Sequence, residues 1–383
     1  MQAELSVAVK RPRALVLLTE TFGDGGIQRF NRTFLSACDR LDVQCEVLSL
    51  VDVESARSRW NAPPSTRIRV FARNKPKFAL ATSAAILRGG YDFIVVGHIN
   101  LIELVALNVW IRRHGRVLLI AHGIEVWAGI CDLGRRRSFA AVDLILSVSQ
   151  YTRERMRAQL PELTTERFTI FPNALNESWI GRFTLAEPVE LPLPLPEKYV
   201  LSVTRLDRGE RYKGVISVIE AVAMLRDRSV HYVIAGRGED QPFLQQVAQR
   251  FEISERVHFL GSVSDNQLAR LYRECAAFVL PSGKEGFGIV FLEAMFFSAP
   301  VIAAQEKGAV DVVQDGQTGL LVRYGDTKAL AEAMNRVLND NALRARISAN
   351  GRASVLEGGP FTFDAYVRRL ADIFKVPLRA KDA

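Results

Sequence analysis

Residues 276–300 read as one complete strand–loop–helix unit. Ala276–Leu280 is an unbroken apolar run of strand length, Pro281–Gly288 is a polar loop bearing glycines, and Ile289–Ser298 spaces its apolar side chains as a helix does. Such a unit is a ready anion site, because the first N–H groups of the helix have no intrahelical acceptor and point out of its start. Glu285 lies in the loop and Glu293 eight positions on, about two helical turns away. That spacing places both carboxylates on one side of the element.

The same order recurs along the chain. Ala14–Leu18 is followed by a loop containing Gly25 and Gly26 and then by helical spacing over Ile27–Leu35. Val43–Leu50 and Arg67–Phe71 read as strands, Lys75–Arg88 as a helix, and Tyr91–Val96 as a buried strand leading into a helix over Leu101–Arg113. Val117–Ala121, Leu144–Ser149 and Phe168–Phe171 continue the series, with Ser149-Gln150-Tyr151-Thr152 as the N-cap region of a helix over 152–160. Residues 185–198 hold four prolines, which neither a helix nor a central strand accepts, so this stretch reads as a linker. Beyond it come strands Tyr199–Val203, His231–Ala235, Val257–Leu260, Val301–Ala303 and Gly319–Val322, a helix from Val215, a helical stretch 327–350 and a last helix in Phe361–Phe374. Strands alternating with helices over 383 residues imply two doubly wound α/β domains, each with its own core.

The chain is 48% hydrophobic and 24% charged, as ordinary soluble proteins are, and carries a net charge of +8. Residues 1–190 hold 25 basic and 19 acidic residues, and 191–383 hold 25 and 23, so the excess sits in the first half. A basic surface suits an acidic partner such as anionic lipid, a lipid-linked diphosphate or nucleic acid, and plain solubility accounts for it as well. The Arg clusters at 135–137 and at Arg153, Arg155 and Arg157 lack interleaved aromatics and any reader motif, which argues against nucleic acid. Basic residues beside apolar ones in Lys75–Arg88 suit a helix lying on a membrane surface, or one packed on a sheet. Cys38, Cys45, Cys131 and Cys275 show neither metal-ligand spacing nor a disulfide framework and read as free thiols of a reducing compartment. No apolar run approaches 18 residues and no signal-peptide pattern opens the chain, so the expectation is a cytoplasmic protein, peripheral at most on the inner face of the plasma membrane.

Taken whole, the Glu-x7-Glu stretch between Pro281-Ser282 and Ala294-Met295…Pro300-Val301-Ile302-Ala303 resembles the retaining GT-B glycosyltransferases of family four. The resemblance is strongest over 199–325 and ordered but weaker over 14–175. It implies a GT-B fold of two Rossmann-like domains facing across a cleft: 1–185 binding acceptor and completed by a C-terminal helix within 361–383, a linker over 186–198, and 199–360 binding the donor. It also implies roles. Glu285 holds donor-sugar hydroxyls, Glu293 holds the ribose, and backbone N–H groups at Gly286, Phe287 and Gly288 meet the donor. Arg205 and Lys213, at either end of a polar loop, neutralise the donor diphosphate. Fixed cations stabilise charge that develops on a leaving phosphate without reorganising, so neither a metal nor another cofactor is required. Gly25 and Gly26 lie across the cleft from the donor phosphates, Gly236 lines the nucleotide site, backbone around Val263 meets the base, and His122 of His-Gly-x-Glu lies by the reacting carbon. From position alone, His98 and Asn100 after the strand Tyr91–Val96 are acceptor-site candidates, since open α/β sheets bind ligands at the C-terminal ends of their strands.

The expected reaction is transfer of a hexose from GDP-mannose or a UDP-hexose, with retention, to a lipid-linked saccharide in cell-surface polysaccharide assembly. The resemblance implies a same-face mechanism in which the leaving phosphate takes the acceptor proton. A soluble acceptor, or a two-domain binding protein without chemistry, is the alternative.

Overall fold

The computed structural model describes residues 11–23, 25–105, 115–127, 130, 133–181, 190–356 and 358–378. The expected helix end at Arg112–His114, Cys131, the side chain of Arg135, part of the linker and residues 379–383 lie outside that set. The chain divides into two units. The first takes in the described residues up to Val148, then Arg153–Phe171 and those from Tyr366 on; the second is Ser149–Thr152 and Pro172–Ala365.

The first unit is built on β1 (Arg13–Leu18), β2 (Gln44–Ser49), β3 (Thr66–Val70), β4 (Phe93–Val96), β5 (Arg116–Ala121), β6 (Leu144–Ser147) and β7 (Phe168–Ile170). All pair in parallel in the order β3-β2-β1-β4-β5-β6-β7. The order reverses between β1 and β4, the switch point of a doubly wound sheet. Central strands such as Phe-Ile-Val-Val of β4 are apolar at every position because helices cover both faces. Helices α1 (Gly26–Arg40), α2 (Lys75–Arg88) and α3 (Gln150–Gln159) follow β1, β3 and β6. In α2 the apolar residues divide between two faces: Phe78 and Ile86 are buried, whereas Leu80 and Leu87 are 73% and 61% exposed.

The second unit repeats the plan with β8 (Lys198–Val203), β9 (Val230–Ala235), β10 (Val257–Gly261), β11 (Ala277–Leu280), β12 (Val301–Ala304) and β13 (Leu320–Val322), again all parallel, in the order β10-β9-β8-β11-β12-β13. Its helices are α4 (Val215–Met224), α5 (Gln241–Arg250), α6 (Asp265–Glu274), α7 (Ile289–Phe296), α8 (Thr327–Asn339) and α9 (Asn341–Val355). The last helix, α10 (Phe363–Phe374), begins in the second unit and from Tyr366 onward belongs to the first. There Phe374 stacks on Phe93 at 4.0 Å between centroids, Tyr366 packs on Phe171 at 4.4 Å, and Arg116 donates to the Ile373 carbonyl.

By its contacts the chain changes unit at Pro172, and the segment beyond is tied to the second unit: Leu175 N–H donates to Phe361 O, and Gln267 Nε2 donates to Glu190 O. Ser149–Thr152 also belongs there, since the Gln150 N–H donates to Asp311. The stretch 327–350 is two helices, because the Asp340 side chain caps a new one by accepting from Leu343 N–H. Ile99–Val105 is a 3-10 turn rather than the start of an α-helix. No described helix is long and apolar enough to cross a membrane.

Candidate active site

In the second unit the loop Thr204–Gly214 joins β8 to α4 and lies against the loop after β9. Leu206 N–H donates to Arg237 O and Asp240 N–H to Leu206 O. A Cβ at Gly236 (φ +146°) would come within 1.8 Å of the Thr204 carbonyl oxygen, and one at Gly238 within 2.2 Å of the Leu206 carbonyl. Backbone packing thus accounts for both glycines of Gly236-x-Gly238. Arg211 forks onto the buried carboxylate of Asp240 at 2.6 and 2.7 Å, and its guanidinium lies 3.9 Å from the centroid of the Phe243 ring. The middle of the loop is therefore pinned, while its two ends carry Arg205 and Lys213. Arg205 is paired with Glu210 and stays largely exposed. Lys213 Nζ lies 2.9 Å from Glu285 Oε2, with side-chain exposures of only 18% and 13%. Burial would lower the Lys213 pKa, but the charge and hydrogen bond of Glu285 outweigh it and leave the pKa raised, so the ammonium stays charged.

Glycines make that pairing sterically feasible. Gly214 has φ +81°, and a Cβ there would meet the Pro281 carbonyl oxygen at 2.6 Å. Gly283 N–H donates to Tyr212 O at 2.8 Å, which joins the cation loop to the loop after β11. Glu285 is held from its other side: Gly308 N–H donates to Glu285 O, and a Cβ at Gly308 would lie 2.1 Å from the Gly286 carbonyl oxygen. Gly288, at φ +93°, caps α7, and Phe287 is buried edge-on against Phe361. The reading that Glu285 and Glu293 share one side of a single element is corrected. Glu285 precedes the helix and turns to Lys213, whereas Glu293, in the second turn, is 1% exposed and accepts from Tyr272 Oη at 3.1 Å. Val263 is half-buried in the loop before α6, next to Ser264, which forms a capping box with Gln267.

In the first unit the loop after β1 is organised by the buried Asp52, which accepts from Thr21 N–H, Phe22 N–H and Ser49 Oγ. Arg32 donates to the carbonyls of Thr21 and Gly23. Gly25 caps α1 in extended conformation, and a Cβ at Gly26 would meet nothing within 4 Å. The fold itself therefore does not require a glycine at 26. His122 Nε2 lies 2.9 Å from the Gly97 carbonyl oxygen and must donate to it, which leaves Nδ1 as the acceptor. Glu125 accepts from the N–H groups of His122 and Gly123, and the Phe30 ring packs edge-on against the imidazole. The dense packing around this half-buried ring lowers its pKa to about 4, against a smaller opposing effect of the Gly97 bond. His98 lies 6.5 Å from His122 between ring centroids and accepts from the exposed Asn100 through its backbone N–H.

Two family models match the chain: Glycosyltransferase Family 4 over residues 24–179 and Glycosyl transferases group 1 over 185–354. The first spans Gly25, Gly26, His98, Asn100 and His122, and the second spans Arg205, Lys213, Glu285 and Glu293. The alpha-D-kanosaminyltransferase of Streptomyces kanamyceticus is 30% identical over 285 residues, 71% of this chain and 72% of that protein. The chain belongs to the GT-B glycosyltransferases. A GDP-mannose-dependent alpha-(1-6)-phosphatidylinositol monomannoside mannosyltransferase of Mycobacterium tuberculosis is 29% identical to this glycosyltransferase over 304 residues, 74% of each. An uncharacterised glycosyltransferase of Methanocaldococcus jannaschii is 30% identical over 183 residues, 48% of this chain, and the match spans 46% of that relative's length. Among solved structures, Anabaena HepE in complex with UDP superposes with a TM-score of 0.76 at 19% identity, over 95% of this chain and 99% of that one.

Several residues that shape these loops, each within its own unit, carry little signal in the sequence. Asp52, Gly308 and Tyr272 act from other elements through contacts that sequence distance hides. Glu210 and Arg211 stand inside the cation loop, but which of its basic residues is committed to Asp240 depends on the turn at Arg208–Lys213. Two acidic residues, Glu239 and Asp240, follow Gly238, and the sequence does not show which of them takes the arginine.

Proposed function

We propose that this glycosyltransferase moves a hexose from a nucleotide-diphosphate sugar to a lipid-linked saccharide acceptor, with retention of anomeric configuration, in cell-surface polysaccharide assembly. The observation that carries the reading is the sheltered Lys213–Glu285 pair, held by Gly214 against Pro281 and by Gly283 N–H on Tyr212 O. An ammonium has three donors and a carboxylate about four lone-pair sites, so each partner keeps capacity for a ligand while the other fixes its position. In this reading Lys213 and Arg205 meet the diphosphate and stabilise the charge that grows on it as the glycosidic bond breaks, in place of a metal. Glu285 accepts from sugar hydroxyls, Glu293 from the ribose, and the N–H groups of Gly286–Gly288 add to the positive field of the α7 start. Gly26, which the fold leaves unconstrained, allows close backbone approach to the donor. Gly25 serves with it, Gly236 and Val263 border the nucleotide, and His98, Asn100 and His122 serve the acceptor and the reacting centre. His122 is neutral at physiological pH and accepts a hydrogen bond through Nδ1. The acceptor proton passes to the leaving phosphate on the same face.

Relatives support both donor classes: one is named as GDP-mannose-dependent, and a solved neighbour holds UDP. A lipid-linked acceptor is supported by a relative named for lipopolysaccharide core biosynthesis in Rhizobium meliloti, 32% identical over 200 residues. The test is a panel of GDP- and UDP-hexoses followed by thermal shift and by release of nucleoside diphosphate in EDTA, with the anomeric product assigned by NMR. A binding protein without chemistry would shift its melting point and release nothing. Turnover abolished by EDTA and restored by a divalent ion would remove the two cations from their assigned role, and an inverted product would remove the same-face step.

A further inference from the structure

Almost all the excess charge of the first half lies in one short stretch. Residues 54–77 hold seven basic residues and a single acidic one, Glu54, a net +6 that equals the excess of residues 1–190. All seven are exposed. Arg57 pairs with Glu54; among the described residues no carboxylate lies within ion-pair distance of the other six. Two of them, Arg67 and Arg69, project from β3, the edge strand of the first sheet, and three more, Arg73, Lys75 and Lys77, lie at the start of α2. Leu80 and Leu87 continue this surface along α2 and are the two most exposed large apolar side chains among the described residues. Steps of three and four residues link Lys77, Leu80, Ala84 and Leu87, all exposed, into one stripe along a helix about 21 Å long. The helix anchors itself to the protein by the opposite stripe of Phe78, Thr82, Ala85 and Ile86.

We propose that the outer face of α2, with the basic edge at β3, docks on an anionic lipid bilayer, Leu80 and Leu87 entering the headgroup–acyl boundary and the surrounding cations meeting lipid phosphates. A polyanion such as nucleic acid explains the cations but leaves the two leucines in water. A bilayer satisfies both, since interfacial helices combine buried apolar area with electrostatic attraction. Each cation close to an anionic surface contributes about fivefold in partitioning, and the attraction fades within a Debye length of about 10 Å at 0.1 M salt. This docking stands apart from the donor chemistry, because it requires no nucleotide sugar.

The test is co-sedimentation of the full chain with vesicles of 30% phosphatidylglycerol in phosphatidylcholine and with phosphatidylcholine alone. Binding is expected only to the anionic vesicles and should weaken in 0.5 M NaCl. K75E/K77E and L80S/L87S should each reduce it at least tenfold with unchanged melting temperature, since all four side chains are exposed. R250E/K328E, an equal charge change on exposed positions of the second unit, should leave it within about twofold. Absence of binding to anionic vesicles at low salt, an equal loss in R250E/K328E, or a duplex DNA bound as tightly as the vesicles and insensitive to L80S/L87S would each overturn the proposal. Vesicle binding by a protein that turns over no sugar nucleotide would leave the docking face standing and remove the proposed reaction.

Discussion

Replacing His122 by Gln should abolish a specific part of the acid sensitivity of the fold. The imidazole pKa is lowered from its ordinary 6.5 to about 4 because dense packing disfavours the charged ring. The unfolded chain therefore binds the proton more tightly than the folded one between these values. The contribution is fully present above pH 6.5 and is lost as pH falls through 4. Taking 1.36 kcal/mol per pKa unit, the whole window is worth about 3 kcal/mol, of which about 2.5 kcal/mol is already lost at pH 4.5. A Gln carboxamide can still donate to the Gly97 carbonyl but does not titrate, so H122Q should lose about 2.5 kcal/mol less than wild type between pH 7 and pH 4.5. Urea unfolding of the two proteins at both pH values gives this difference, and carboxylates common to both cancel. The His122 pKa itself follows from NMR of histidine-labelled protein, its signal identified by its absence in the variant. A pKa near 6.5, or equal acid sensitivity in the two proteins, would refute the argument and would also free His122 to act as a proton donor.

Four further outcomes are expected. Lys213→Ala should lower kcat on the order of 100-fold, the scale for removing one preorganised charge-stabilising donor, and near wild-type turnover would remove Lys213 from the diphosphate. Glu293→Ala should mainly weaken nucleotide binding, measured by calorimetry; unchanged affinity would withdraw the ribose assignment. Gly214→Ala forces φ +81° on an L-residue and a methyl onto the Pro281 carbonyl, so it should destabilise by about 2 kcal/mol and lower kcat as well by displacing Lys213. Arg211→Lys loses the planar fork onto Asp240 and its stack on Phe243, and should lower kcat/KM while D240N lowers it no further in the double variant, as two parts of one contact do.

Much of the fold was legible because parallel strands covered on both faces are continuous apolar runs. Val117–Ala121 and Ala276–Leu280 could be read to within a residue of β5 and β11, and Lys75–Arg88 matches α2 at both ends. Boundaries stayed hidden where a side chain decides them. Asp340 divides 327–350 by capping a new helix, and Asp311 draws Gln150 into the second unit. Prolines report only that a segment such as 185–198 is neither helix nor central strand; which unit it packs on is set by contacts like Gln267 to Glu190, which the sequence does not show. The division of α2 was equally hidden: a list of apolar residues treats Phe78 and Leu80 alike, although a step of about 200° sends them to opposite faces.

At the site, residue types were legible and pairings were not. Cations and carboxylates stand out in 205–213 and 285–293, but the sequence does not show that Lys213 selects Glu285, Arg205 selects Glu210 and Arg211 selects Asp240. The selection follows from where backbones touch. Gly236 and Gly238 press the β8 loop against the β9 loop, which brings Arg211 within reach of Asp240; Gly214 and Gly283 press it against the β11 loop, which brings Lys213 within reach of Glu285. A glycine at a crowded contact and a glycine in open space look alike in a sequence, yet they mean opposite things. The first kind is used up by the fold, and a side chain there costs stability before it costs activity. Gly26 is of the second kind, so Gly26→Ala should leave the melting temperature unchanged, and any rise in donor KM must come from what approaches it.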